Sequence, residues 1–190
     1  MSIYKTFGLT SSASLCLAVA FALITPCTAQ QQPGMSPVVE KPTYITIPLE
    51  IAINKPAAEV WKRIGKYCDI GEWFRIPCKI VSGNDGEIGA IRSVADEILV
   101  GSSEMSYTYT QPVKAGKPYN LYHGTLEARV VTATTSKLLY TLVYDNSMLA
   151  DDAARDKDKA QKTATFTRAL GNMKILAEGG TLPPAPARAK

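Results

Sequence analysis

The sequence predicts an α+β domain: seven strands of an antiparallel sheet, then one long C-terminal helix, with two short helices after the first strand. Three observations carry this. Several runs alternate apolar and polar residues with the period of a half-buried strand. A short helical pattern interrupts them once, directly after the first run. The closing stretch changes to apolar residues at helical spacing behind an acidic start, the pattern of a helix laid on a sheet.

In the first run, Ile45, Ile47, Leu49, Ile51 and Ile53 share one face, and Thr46, Pro48, Glu50 and Ala52 the other. Pro48 lacks a backbone donor, which marks an edge strand. Asn54 is positioned to cap the next helix and Pro56 suits its first turn. Val60, Trp61 and Ile64 then recur at helical spacing, and Asp69 to Phe74 forms the second short helix. Ile80 and Val81 begin a strand that Ser82-Gly-Asn-Asp-Gly86 ends. A third strand runs from Gly89 through Ala95 and a fourth from Glu97 to Val100, with Gly101-Ser-Ser103 as the next turn. Met105, Tyr107 and Tyr109 give the fifth strand its inner face. Tyr122, Gly124, Leu126, Ala128 and Val130 do so for the sixth, and Leu138, Tyr140, Leu142 and Tyr144 for the seventh.

The long helix starts near Leu149 or Asp151. Asp151 and Asp152 suit the positive end of the helix dipole. Ala160, Phe166, Leu170, Met173 and Ala177 are expected on its inner face. Glu178-Gly-Gly180 stops it.

The flanks differ in composition. Residues 1–29 read as an export signal: Lys5 is the one charge, Leu15 to Ile24 is apolar but too short to span a bilayer, and Cys27-Thr-Ala29 ends in small residues. Residues 30–43 are a Gln/Pro-rich lead-in, 44–178 the domain, and 179–190 a Pro/Ala-rich disordered tail. This implies a periplasmic or secreted protein with no stable membrane insertion once the signal is removed. The remaining chain has 20 basic against 17 acidic side chains, a net +3 after Lys5 is lost from the full-length +4. The charges are mixed, and no basic run with interleaved aromatics supports nucleic-acid binding.

Two cysteines remain, Cys68 and Cys78. An even pair in an oxidising compartment invites a disulfide; two free buried thiols are the alternative. With the single histidine, His123, they do not make a metal site. No phosphate loop or nucleophile–base pair is present, so no cofactor is implied.

Ile51-Ala-Ile-Asn-Lys-Pro-Ala-Ala-Glu-Val-Trp61, Trp73-Phe74, Gly89-Ala-Ile-Arg92, Glu97 and Tyr122-His-Gly-Thr-Leu126 resemble the START-like, or helix-grip (SRPBCC), superfamily. The nearest pattern is its polyketide cyclase/dehydrase type 2 group. The resemblance runs from about Ile45 to Leu176. It implies a curved sheet wrapped around the C-terminal helix, with a ligand cavity between them, and places residues matching Glu97 and Tyr122 in the cavity lining.

Tyr107, Tyr109, Tyr122, Tyr140 and Tyr144 on inner faces are unusual for a packed core, because each buried hydroxyl needs a partner. They suggest a wet or ligand-filled cavity, or else hydroxyls reaching water at the sheet edges. An inward Glu97 requires a partner, and Arg92 is the nearest cation; the alternative is an exposed cross-strand pair. Trp73 and Phe74 fit either the core or a lid. Alternation sends His123 outward. The candidate ligand residues are therefore Arg92, Glu97, Tyr107, Tyr109, Tyr122, Tyr140, Trp73 and Phe74.

The leading expectation is an exported, non-catalytic binding protein for a hydrophobic small molecule: a lipid, sterol-like compound, polyketide or aromatic. The alternatives are a cyclase or dehydratase using Glu97 and tyrosines as acid and base, and a protein-interaction module with an exposed Trp73–Phe74 patch.

Overall fold

A computed structural model describes residue 39 and residues 41–184. The export-signal reading of 1–29, most of the lead-in and the last residues of the tail lie outside the described residues. The elements are β1 (Tyr44–Ile53), α1 (Ala57–Ile64), α2 (Ile70–Trp73), β2 (Ile80–Ser82), β3 (Ile91–Arg92), β4 (Glu97–Ser103), β5 (Ser106–Thr110), β6 (Asn120–Val130), β7 (Ser136–Asp145) and α3 (Asp152–Ala177). The seven strands form one antiparallel sheet in the order β1-β7-β6-β5-β4-β3-β2. β1 is an edge strand paired only with β7, and Pro48 sits opposite Thr141.

α3 lies against the face formed by the alternating apolar residues. Its second half buries Phe166, Ala169, Leu170, Met173 and Leu176. Its first half buries no side chain: Ala160, expected on the inner face, is exposed. The residues turned toward the sheet there include Asp158 and Lys162, so α3 is held by polar contacts at one end and apolar packing at the other. At its C-terminus Lys174 Nζ donates to the Ala52 carbonyl (2.9 Å), and Glu178 accepts from the Asn54 backbone N–H (2.8 Å). Asn54 therefore does not cap α1: Pro56 occupies the N-cap, without a side-chain bond. At the start of α3, Asp151 caps, accepting from the Ala154 N–H at 2.8 Å.

Two strand boundaries differ from expectation. β3 is only Ile91–Arg92, because Ala95 (φ 53°) and Asp96 (φ 55°) turn the chain in left-handed conformation. β4 continues through Gly101-Ser-Ser103, with Val100 as the extra residue of a bulge against β5. Pairing with β5 overrides the turn character of that tripeptide.

Cys68 and Cys78 are joined as a disulfide with Cα atoms 5.5 Å apart, bridging the start of α2 to the segment before β2. Among the described residues no helix is long and apolar enough to cross a membrane.

Candidate functional site

The β3–β4 hairpin builds the centre of the site. Its left-handed turn sets Arg92 directly opposite Glu97, and directly opposed residues share a face of the sheet. Both point inward: Arg92 is 0% exposed and Glu97 3%. Arg92 Nε donates to Glu97 Oε2 at 2.6 Å, and its Nη2 lies 2.5 Å from the same oxygen in ionic contact. Arg92 Nη1 donates to the Tyr67 carbonyl at 2.6 Å. The other Glu97 oxygen accepts from Gln111 Nε2 (2.8 Å), and Gln111 Oε1 accepts from the Tyr119 hydroxyl (2.7 Å). The pair is thus buried and bonded on several sides, as a buried ion pair must be.

Aromatic rings enclose the guanidinium. Arg92 Cζ lies 4.3 Å from the Tyr67 ring centre, 4.7 Å from Tyr109 and 5.8 Å from Tyr107, in cation–π range. Burial opposes its charge, but the surrounding tyrosines and Glu97 outweigh that and hold its pKa above the ordinary value. Burial raises the Glu97 pKa, partly offset by Arg92 and the Gln111 hydrogen bond.

The inner-face tyrosines do not run out to the sheet edges; Tyr107, Tyr109, Tyr122, Tyr140 and Tyr144 are all buried. Among the described residues, Tyr107 and Tyr122 border separate clefts. The tyrosines pack on one another and on α3. The Tyr109 and Tyr140 hydroxyls are 2.9 Å apart, and the Tyr140 ring lies 4.8 Å from Phe166. Tyr144 donates to Asp158 Oδ2 of α3 at 2.8 Å, and Lys162, paired with Asp158, lies 4.6 Å from the Tyr144 ring centre. Burial raises the pKa of Tyr109, Tyr122 and Tyr140, so these phenols remain hydrogen-bond donors.

Two clefts flank this layer. One, of about 210 Å³, opens between α2, the β3–β4 turn and the middle of α3. Phe74, Val94, Tyr122 and Phe166 contribute apolar surface, with Glu97 and Gln111 as its polar groups. The other, of about 200 Å³, lies beyond α1 and is bordered by Trp61, Tyr67, Leu99, Ser102 and Tyr107, with Lys66 and Asp85 also bordering it. Each is smaller than the roughly 300–1,000 Å³ of typical ligand pockets.

Of the residues singled out in the sequence, Phe74, Glu97 and Tyr122 border the first cleft and Tyr107 the second. Arg92, Tyr109 and Tyr140 lie in the layer between sheet and helix. Trp73 is fully buried and Phe74 half-buried, so they form no exposed patch. His123 is exposed. Sequence reading missed Tyr67, Gln111 and Tyr119. Gln111 carried a signal, since it continues the Tyr107–Tyr109 alternation one step past β5. Tyr67 and Tyr119 sit in connections, where no periodicity marks them.

Solved structures with the same architecture share little sequence with this chain. A solution structure from Thermobifida fusca aligns over 73% of this chain and 97% of its own, with TM-score 0.58 and 18% identity. This is a helix-grip fold. An aromatase/cyclase from Streptomyces sp. R1128 aligns over 73% and 100%, with TM-score 0.55 and 15% identity. Norcoclaurine synthase of Thalictrum flavum, solved with a transition-state analogue, aligns over 72% and 96%, with TM-score 0.55 and 9% identity. No protein-family model matches the sequence, and no curated protein matches it. The likeness is one of fold, and one fold hosts many functions.

Proposed function

We propose that this helix-grip domain binds a small hydrophobic molecule in the cleft between α2, the β3–β4 turn and α3. One observation carries the reading: apolar walls converge on the buried Glu97 carboxylate and the Gln111 amide. An apolar pocket with few, fixed polar groups is the usual form of a small-molecule site. Burial of apolar ligand surface supplies affinity, and Glu97, Gln111 and Tyr122 orient a polar end. An aromatase/cyclase and an enzyme holding a transition-state analogue share the fold, which agrees with this use of it.

We also propose that the protein works outside the cytoplasm. The apolar N-terminal stretch of the sequence and the Cys68–Cys78 disulfide both suit an exported chain.

A second reading, a cyclase- or dehydratase-like enzyme, draws on the raised Glu97 pKa. A general base works best with its pKa near the operating pH, and Tyr122 stands in the same cleft as a donor. Binding ranks first because both Glu97 oxygens already accept hydrogen bonds.

Native mass spectrometry of the protein isolated from its own cells tests the reading. The expected spectrum shows a stoichiometric small-molecule adduct on a chain lacking residues 1–29. An adduct-free chain that also fails to bind aromatic probes overturns the binding reading, and an uncleaved N-terminus overturns export.

A further inference from the structure

The cleft beyond α1 differs in chemistry from the one between α2 and α3. In the latter the carboxylate is buried and both Glu97 oxygens already accept hydrogen bonds. The cleft beyond α1 instead carries two opposite charges at its rim, Lys66 and Asp85. Both are exposed, and neither has an ion-pair partner among the described residues.

The local chain path sets these charges side by side. α1 ends at Gly65, where a Cβ would come within 2.5 Å of the Trp61 ring. That ring is therefore folded back over the end of its own helix, where it borders the cleft. The next two backbone N–H groups bind carboxylates: Lys66 donates to Asp69 Oδ2 (2.9 Å) and Tyr67 to Asp85 Oδ1 (3.2 Å). Asp85 comes from the turn between β2 and β3, where Gly83 (φ 72°) and Gly86 (φ 82°) are left-handed. Its backbone tie holds it within one residue of Lys66 and leaves Oδ2 open to a ligand.

Behind the charges the wall is apolar. Leu99 and Tyr107 are buried, and the Trp61 and Tyr107 ring centres are 5.7 Å apart. The Tyr67 hydroxyl, buried and without a hydrogen-bond partner among the described residues, is a further donor at this cleft. The volume of about 200 Å³ limits the occupant to a small molecule. A ligand with one charge would leave either Lys66 or Asp85 unmatched. An α-amino acid carries an ammonium and a carboxylate on a single carbon, with its side chain pointing away from both.

We propose that the cleft beyond α1 is a second, separate site, and that it takes an α-amino acid with an apolar side chain. Lys66 binds the carboxylate, Asp85 Oδ2 accepts from the ammonium, and the side chain lies against Trp61, Leu99 and Tyr107. This goes beyond the binding reading above and does not depend on it, since neither Lys66 nor Asp85 borders the other cleft.

Calorimetric titration of the full chain with three probes of similar carbon skeleton tests the proposal: leucine, isoamylamine, which lacks the carboxylate, and isocaproate, which lacks the ammonium. Leucine is expected to bind on the order of 10-fold more tightly than either, the gain of one charge-assisted contact. Lys66→Gln should lower leucine to the level of isoamylamine and leave isoamylamine unchanged. Asp85→Asn, which keeps Oδ1 as the acceptor for Tyr67, should lower leucine to the level of isocaproate and leave isocaproate unchanged. Ser102→Trp, at the rim, should weaken all three. Both charged side chains are exposed, so the melting temperature should hold in their variants; where Asp85→Asn lowers it, Lys66→Gln decides.

Leucine that fails to bind, or binds no more tightly than its singly charged analogues, overturns the proposal. So does a charge variant that leaves leucine unaffected or weakens all three probes alike. None of these results bears on the cleft between α2 and α3.

Discussion

Gly124 of β6 lies directly beneath the Tyr109 ring of β5. A Cβ at Gly124 would come within 2.4 Å of both Tyr109 Cζ and its hydroxyl oxygen. The missing side chain is what lets Tyr109 lie flat enough to reach Tyr140 and to pack against Arg92. Gly124→Ala should destabilise the domain by about 1–3 kcal/mol through overpacking, measured by urea unfolding. Combining it with Tyr109→Leu should restore part of the loss, since the two changes act on one contact. Strict additivity would mean that Gly124 matters for another reason.

The buried ion pair should behave as a unit. Arg92→Leu strands the Glu97 carboxylate in the interior and should cost about 3–5 kcal/mol. Arg92→Leu with Glu97→Leu should cost clearly less than the two single changes summed, because neither charge is then left alone. A double-mutant cycle in urea gives the coupling directly; a coupling near zero would mean that water reaches the pair and screens it.

Reduction should weaken the fold locally and globally. Cys68 and Cys78 are 10 residues apart, and closing so short a loop stabilises by roughly 2–3 kcal/mol in the chain-entropy account. Scanning calorimetry with and without reductant, after thiol release has been verified, should show the lower melting temperature in the reduced chain. Equal melting would assign the bridge no part in stability.

Alkaline pH should unfold the domain through its tyrosines. Burial raises the pKa of Tyr67, Tyr107, Tyr109, Tyr122, Tyr140 and Tyr144 above the ordinary value of about 10. Above that value the unfolded chain loses phenol protons that the folded chain keeps. The folded state then binds more protons, so stability is full below about pH 10 and falls as pH rises. Ultraviolet titration should show these phenolates appearing in one step together with the loss of circular dichroism. Gradual ionisation at constant circular dichroism would show that the layer is open to solvent.

Much of this was readable from residue order. Strict alternation puts the tyrosines on inner faces and Pro48 marks β1 as an edge, whereas the inward Glu97 follows only from the family resemblance, with an exposed cross-strand pair as the alternative. The errors have physical causes. Asp96 is a turn residue in the sequence, but nothing in Val94-Ala95 shows that the turn begins before it; Ala95 and Asp96 are both left-handed, so β3 ends at Arg92. Gly101-Ser-Ser103 looked like a turn until β5 supplied its partners. Ala160 fitted an apolar stripe, but the first half of α3 meets the sheet through Asp158 and Lys162 instead. The site itself was half legible. Glu97 and its arginine could be paired from sequence, whereas the packing of five tyrosines into a layer, rather than around a void, depends on contacts across the fold.

The ligand site proposed above is the cleft between α2, the β3–β4 turn and α3. The most direct measurement is a two-dimensional amide NMR titration of the domain with indole. Saturable shifts are expected, centred on Phe74, Val94, Gln111, Tyr122 and Thr165 and abolished by Thr165→Trp. Shifts that never saturate, or that saturate while centred away from these residues, would contradict it.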